Sequence, residues 1–292
     1  MKKISVGKGI MYAAFFIIML TCIIPFILII SISFSTETDV LNDGFRLIPE
    51  HFSTKAYEAA FEQFGRILKS FGVTFFYAAI GTFLSVAMMA MAGYVLAHKE
   101  CYFKKAFTFY LTVTMFFSGG LVPTYLVMTK LLHLGDTIWV YIVGGITPYT
   151  IFVFRTYFKQ LPDSVSESAR IDGATEMQVL SKVIVPMSMP VLATFSFLGF
   201  SSRWNDYTMS MYYITDPDLY TIQYLLQNIL NEASTIKQMQ QQLGLALAKN
   251  EVIPTETLKF ALCVLGSIPI LIMFPFFQRY YSKGMIVGSV KG

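Results

Sequence analysis

Residues 167–190 read ESARIDGATEMQVLSKVIVPMSMP. The stretch carries Glu167, Arg170, Asp172, Glu176 and Lys182, an Asp172-Gly173 break, and two prolines, Pro186 and Pro190, four residues apart. The surrounding chain is of another kind. Of its 292 residues 55% are hydrophobic and 14% charged, and the mean hydropathy is +0.57. Soluble domains carry about 25% charged residues. The composition therefore points to a membrane protein in which this stretch is a polar interruption.

Outward from the stretch, the chain divides into runs free of Asp, Glu, Lys and Arg. Six are long enough to be considered as spans: 9–36, 70–98, 106–129, 137–154, 183–202 and 260–278. A membrane helix needs about 20 mostly apolar residues. The run 137–154 is the shortest, and 260–278 contains Pro269 and Pro275. The first run follows Lys2, Lys3 and Lys8 but is too long for a signal-peptide core, so it reads as a retained span. With the N-terminus inside, the segments 1–8, 99–105, 155–182 and 279–292 hold 13 Lys/Arg against 5 Asp/Glu. The segments 37–69, 130–136 and 203–259 hold 9 against 13. The positive-inside rule then favours an all-α, six-span chain with both termini cytoplasmic, and the quoted stretch falls on the cytoplasmic side.

Within the stretch, Ser164 and Glu167 are spaced as a capping box that starts a short helix, with Asp163 favourable near its N-terminus. Gly173 permits a turn. Met177, Leu180, Val183 and Ile184 then recur at helical spacing as an apolar stripe. The prediction is two short helices in an L, joined to a span kinked by Pro186 and Pro190. In the loop 203–259, Ile222, Leu225, Leu226 and Ile229 predict a surface helix.

Other chemistry finds little support. Cys22, Cys101 and Cys263 form no CxxC pair, and His51, His98 and His133 are scattered at run ends and loops with no HExxH, so no metal site is expected. Ser118-Gly119-Gly120 reads as small residues for helix packing. The absence of charge from all six runs argues against a proton-coupled carrier, although an ion-coupled carrier or channel remains the alternative class. No GxxxxGK[ST] phosphate loop occurs, and no nucleic-acid partner is expected.

The stretch resembles the EAA loop of binding-protein-dependent ABC importer permeases. Glu167-Ser168-Ala169, Asp172-Gly173-Ala174, Leu180, and Val185-Pro186 with Pro190 carry the resemblance, with Ser168 in place of the usual Ala and Leu180 where Phe is frequent. Trp204-Asn205-Asp206 looks like the W-N-(D/E) element of the carbohydrate-importer branch, and Gly288-Ser289-Val290-Lys291-Gly292 looks like its tail. The chain as a whole resembles the second permease of a maltose-type carbohydrate importer. The long 203–259 segment is more similar to the oligosaccharide and polysaccharide importers.

The resemblance implies a type I ABC importer permease fold in one domain, 1–292, of the bacterial cytoplasmic membrane. It implies that the loop 159–182 docks on an ATPase, with Glu167, Ser168, Ala169, Asp172, Gly173, Ala174 and Leu180 forming the coupling surface and elbow. The tail, with Gly288 and Lys291, would approach the same ATPase. The partners implied are a homologous permease in a heterodimer, two ATPase subunits that hold ATP and Mg, and an extracytoplasmic sugar-binding protein, for which 203–259 is a candidate docking surface. This chain would need no cofactor and catalyse no reaction. Sugar sites favour aromatic faces and neutral polar groups, which makes Tyr125, Trp204, Asn205, Tyr207, Thr82 and Ser85 the candidates for the carbohydrate pathway.

Overall fold

The computed structural model describes residues 6–62, 64–98, 101–242 and 254–288. Among these residues the fold is helical, with a lone antiparallel bridge between Ser35 and Phe52 and no strand. In chain order the helices are α1 (Val6–Ser33), α2 (Glu37–Asp43), α3 (Lys55–Phe61), α4 (Phe64–Ala97), α5 (Lys104–Phe116), α6 (Leu121–Leu126) and α7 (Pro148–Phe158). They continue as α8 (Asp163–Ile171), α9 (Glu176–Val179), α10 (Val185–Met187), α11 (Met189–Trp204), α12 (Thr208–Tyr213), α13 (Ile222–Gln242) and α14 (Glu256–Gly288). A π-helical turn, Leu180–Ile184, joins α9 to α10.

Three helical segments are long and apolar enough to cross a membrane: Ile10–Ser33, Phe64–Ala97 and Glu256–Gln278. Two further candidates are bent pairs, Lys104–Phe116 with Leu121–Leu131 at 116° and Glu176–Met187 with Met189–Trp204 at 84°. The run 106–129 is therefore not one straight helix. Its break falls on Ser118-Gly119-Gly120, which are exposed and turn the chain instead of packing helices. The run 137–154 holds a 3-10 turn, Ile138–Tyr141, a loop, and the start of the eleven-residue α7.

The chain forms two compact units, residues 1–68 with 225–268 and residues 69–224 with 269–292. In the first, the carboxylate of Glu37, 6% exposed, closes the N-terminus of α14. It accepts from Glu256 N at 2.9 Å, Thr257 N at 2.9 Å, Thr257 Oγ1 at 3.0 Å and Thr255 Oγ1 at 3.1 Å. The first amides of a helix have no partner in the helix itself, and an anion there also meets the positive end of the helix dipole. The apolar positions predicted for the 203–259 helix are all buried on α13.

The second unit is built on α4. Val86, Met89, Ala90 and Tyr94 of α4 pack with Ile151 and Phe154 of α7, Val179, Leu180 and Ile184 of the loop after Gly173, and Leu192 of α11. The approach of α4 to α7 requires Gly93, where a Cβ would stand 2.8 Å from Phe154 Cβ and 3.1 Å from Arg155 N. At the other end, Tyr77, Val140, Tyr141, Tyr213 and Ile214 form a smaller core. There Tyr141 Oη donates to Leu219 O at 2.8 Å, and the Ser210 and Thr221 hydroxyls pair at 2.8 Å.

Removing the carboxylate in Glu37→Ala should lower stability by about 1–3 kcal/mol, because several buried donors lose one acceptor. Glu37→Gln, which keeps one oxygen, should lose part of that. Melting curves of the purified protein in detergent read the effect, and an unchanged midpoint in Glu37→Ala would refute the cap.

Candidate functional site

Leu161-Pro162 stops α7 because the residue before proline avoids the helical region, and the fixed φ of Pro162 then starts α8 at Asp163. Ser164 consequently lies inside the first turn. The capping box expected from Ser164 and Glu167 does not form, and α8 has no side-chain cap. The box stands one helix later: Gln178 N donates to Thr175 Oγ1 at 3.4 Å and Thr175 N to Gln178 Oε1 at 2.9 Å.

Between the two helices Gly173 takes φ +82°, and nothing lies within 4 Å of where its Cβ would stand. Glycine is required there by backbone conformation, not by crowding. Ala174 N closes the elbow onto Ala169 O at 3.0 Å, and both alanines pack against the α4–α7 core. The expected apolar stripe holds at Leu180 and Ile184, with Val183 half-buried, and departs at Met177. Val179, Leu180 and Ile184 are buried, whereas Met177 is 62% exposed. Glu167, Ser168 and Asp172 are exposed, and beside them Ile171 is 86% exposed.

The loop is held from behind by four side chains. Arg170 Nε donates to Glu176 Oε1 at 2.7 Å across the elbow, and Tyr94 Oη at the end of α4 donates to Glu176 Oε2 at 2.6 Å. Arg170 Nη2 stands 3.0 Å from His98 Nε2. The same ring nitrogen lies 3.4 Å from Glu176 Oε2. Glu176 lies outside the apolar run 183–202, and the bond from Arg170, with that from Tyr94, holds its carboxyl down at about 2. The same bond to Glu176 raises Arg170. A cleft of about 880 Å³ opens beside this clasp, lined among others by Lys104, Lys159, Glu167 and Arg170. Burial, then the charges of Lys159 and Arg155, pushes Lys104 down.

Past the loop, Pro186 and Pro190 flank the 84° bend. Ser188 sits at the bend, fully buried, and its hydroxyl has no partner. The helix beyond it, α11, ends on Arg203 and Trp204. Arg203 is 8% exposed. The charge-free run is therefore followed, in the same helix, by a buried cation, which corrects the reading of 183–202 as a span ending before any charge. Arg203 Nη2 donates to Ser85 Oγ at 3.1 Å, and Nη1 to Thr82 Oγ1 at 3.4 Å and Gly199 O at 3.5 Å. Its guanidinium carbon lies 5.9 Å from the Tyr77 ring centre.

The six residues expected to line a carbohydrate path are not gathered on one open surface. Thr82 and Ser85 are buried partners of Arg203. Trp204 is 2% exposed and packs with Phe71 and Phe200 at 5.9 Å. Tyr125 stacks on Tyr213 at 5.6 Å, Asn205 Nδ2 donates to Ser201 O at 2.9 Å, and Tyr207 is 46% exposed. Gly288 closes α14, and Lys291 lies outside the described residues. Sequence reading missed Arg203 because it stands one residue past the apolar run, although helical spacing continues through it. It also missed the clasp, whose traces are the opposite charges of Arg170 and Glu176 astride the glycine and the Tyr94–His98 pair four apart.

A bent polar loop joined to broken apolar helices is the architecture of a polytopic membrane subunit. The chain belongs to the family described as binding-protein-dependent transport system inner membrane component, which it matches over residues 59–287. It is 34% identical, over 94% of both chains, to the polygalacturonan/rhamnogalacturonan transport system permease protein of Bacillus subtilis (strain 168). To the arabinooligosaccharides transport system permease protein of Halalkalibacterium halodurans it is 27% identical, over 92% of this chain and 91% of that one. Its structure is similar, at TM-score 0.79 and 27% identity, to a chain of a bacterial ABC transporter involved in the import of the acidic polysaccharide alginate, covering 96% of this chain and 100% of that one. The protein is thus an ABC transporter permease, a membrane subunit and not an enzyme. Permeases of this kind work with a partner permease, an ATPase and a binding protein.

The clasp should show as coupled side chains. A double-mutant cycle of Tyr94→Phe and Glu176→Gln should give an interaction of about 0.5–3 kcal/mol in melting experiments. Because the Glu176 carboxyl falls from 4.5 to about 2, its contribution is complete above the ordinary value and is lost as pH falls toward the lower one. The advantage of wild type over Glu176→Gln should therefore stay constant between neutral pH and pH about 5 and shrink below that. A loss already complete at mildly acidic pH would contradict the pairing.

Proposed function

We propose that the chain is the transmembrane permease of an ATP-driven importer for an oligosaccharide or polysaccharide fragment, and that the loop 159–182 couples it to the ATPase. In this reading six spans cross the bacterial cytoplasmic membrane with both termini inside. The chain pairs with a homologous permease, two ATPase subunits bind ATP and Mg, and an extracytoplasmic binding protein delivers the carbohydrate. The relatives' cargoes, a pectic polymer, arabinooligosaccharides and alginate, support the carbohydrate class.

The observation that carries the coupling role is the outward face of the elbow. Ile171 and Met177 are large apolar side chains exposed at 86% and 62%, set beside the exposed acidic groups of Glu167 and Asp172. The backbone beneath them is fixed by the Arg170–Glu176–Tyr94 clasp. A rigid corner that offers apolar knobs is suited to a groove on a partner protein. Alternating access follows if closure of the ATPase pair shifts this corner, since the chain passes from it through the Ser188 bend directly into α11.

A cysteine in Glu167→Cys should cross-link to the ATPase in the assembled importer, and persistent failure there and at neighbouring loop positions would sink the docking role. Gly173→Val should leave insertion and ATP hydrolysis intact while uptake falls, since a left-handed backbone costs a branched residue about 1–2 kcal/mol. Normal uptake in that variant would remove the elbow from the mechanism. Labelling of cysteines placed in 1–8 and 155–182 from either side of the membrane tests the orientation. Transport by the chain alone in liposomes would favour a stand-alone carrier.

A further inference from the structure

Arg203 makes no ion pair among the described residues, and the carboxylate whose charge reaches it, Asp206, is not in contact with it. Arg203 occupies the last turn of α11 and is 8% exposed. Asp206, three residues on, is engaged elsewhere: it accepts from Thr208 N at 2.8 Å, from Thr208 Oγ1, and from Tyr77 Oη at 3.3 Å. The guanidinium instead makes neutral contacts of 3.1–3.5 Å. Charge-assisted bonds run at about 2.7–2.9 Å, so these hold the group in place without neutralising it. A buried unpaired cation is unfavourable, and an ionisable group within a membrane helix marks a functional position.

The surroundings are built for this side chain. Gly81 of α4, Gly199 of α11 and Gly145 of the loop before α7 enclose it. A Cβ at Gly81 would stand 2.8 Å from Nε, one at Gly199 3.4 Å from Nη1, and one at Gly145 would collide with Nη2. The cover over Nη2 is thus the glycine loop, where Gly144 and Gly145 have φ +119° and +74°, and not a packed helix. A shift of that loop away from α11 would uncover Arg203 with its two hydroxyl neighbours still in place.

We propose that Arg203 receives a carboxylate of the cargo, so that the carbohydrate carried is a uronic-acid oligosaccharide. This rests on the carbohydrate reading above and names its chemical class. The planar guanidinium binds a carboxylate through two parallel bonds. Thr82 and Ser85 hold the guanidinium in place, with the Ser85 hydroxyl itself anchored by donating to Thr82 O at 3.1 Å. Occupation by cargo supplies a counter-charge in contact only when the loop has moved, which ties recognition of an acidic sugar to the open state.

The complete importer, with partner permease, ATPase and binding protein, is reconstituted in liposomes. Uptake is measured for oligogalacturonate and oligomannuronate and for the same oligomers with their carboxyls reduced to primary alcohols. Wild type should prefer the acidic form. In Arg203→Gln the ratio of acidic to neutral uptake should fall by about tenfold or more, while Arg203→Lys, which keeps the charge but not the fork, should fall in between. The ratio is independent of expression level, and co-purification with the ATPase checks assembly. An equal fall for both forms, or no fall, would overturn the proposal and leave Arg203 as a packing residue. Wild-type uptake of neutral oligomers alone would overturn it while keeping the carbohydrate reading. No uptake of any of these sugars, with no thermal shift of the binding protein across a glycan panel, would remove the carbohydrate reading itself.

Discussion

The bond between Arg170 and Glu176 closes the elbow around Gly173. Without it the loop would be two short helices on a glycine hinge, and helices this short have little stability of their own. Tyr94 and His98 extend the pair onto α4, so the position of the loop is fixed against the helix on which the second unit is built. The exposed residues on the other side, Glu167, Ser168, Ile171 and Asp172, inherit that rigidity. The docking role proposed for this surface would need this order: fixed behind, open in front.

Two costs are carried inside the apolar part of the chain. One is the bend at Ser188, where Pro186 and Pro190 lack amide donors and the buried Ser188 hydroxyl has no partner among the described residues. Broken helices are tolerated at membrane depth when protein surrounds the freed groups. Here Ile184 O and Val185 O still accept from Ser188 N. The other is Arg203, whose charge is only partly offset by hydroxyls, a carbonyl and the favourable end of the α11 dipole. Both costs lie on the same helix, one at each end.

Much of this was legible in the sequence, and the rest was hidden for definite reasons. The elbow was readable because Asp-Gly is a backbone statement, and the φ of +82° at Gly173 agrees. The buried stripe of α13 was readable because helical periodicity survives tertiary packing. The capping box was misplaced because Ser164–Glu167 and Thr175–Gln178 both have the right spacing, and only the rigid start imposed by Pro162 separates them. Met177 faces outward because the inward face of the short α9 is taken by Val179, two residues on. Trp204 looked like a sugar platform because indole suits that role, but Phe200 one turn back and Phe71, distant in the sequence, pack it inside. Arg203 was assigned to a loop because a charge was taken as the end of a span, and two distant glycines, Gly81 and Gly145, with Gly199 one turn back, make room for it.

Those glycines also show how the two ends of α4 are related. Tyr94 belongs to the clasp and Thr82 to the arginine cradle, twelve residues apart on one unbroken helix, or about 18 Å at the standard rise. The loop that the clasp anchors runs through the Ser188 bend into α11, which delivers Arg203 back to Thr82 and Ser85. The path is therefore a closed circuit of two helices joined at both ends, one junction polar and exposed, the other charged and buried. A displacement of the elbow cannot be absorbed by either helix alone, because each is held by the other at the far junction. The strain falls on the weakest contacts in the circuit. These are the long bonds around Arg203 and the glycine loop that covers it, the place where a cargo carboxylate would add what the cradle lacks.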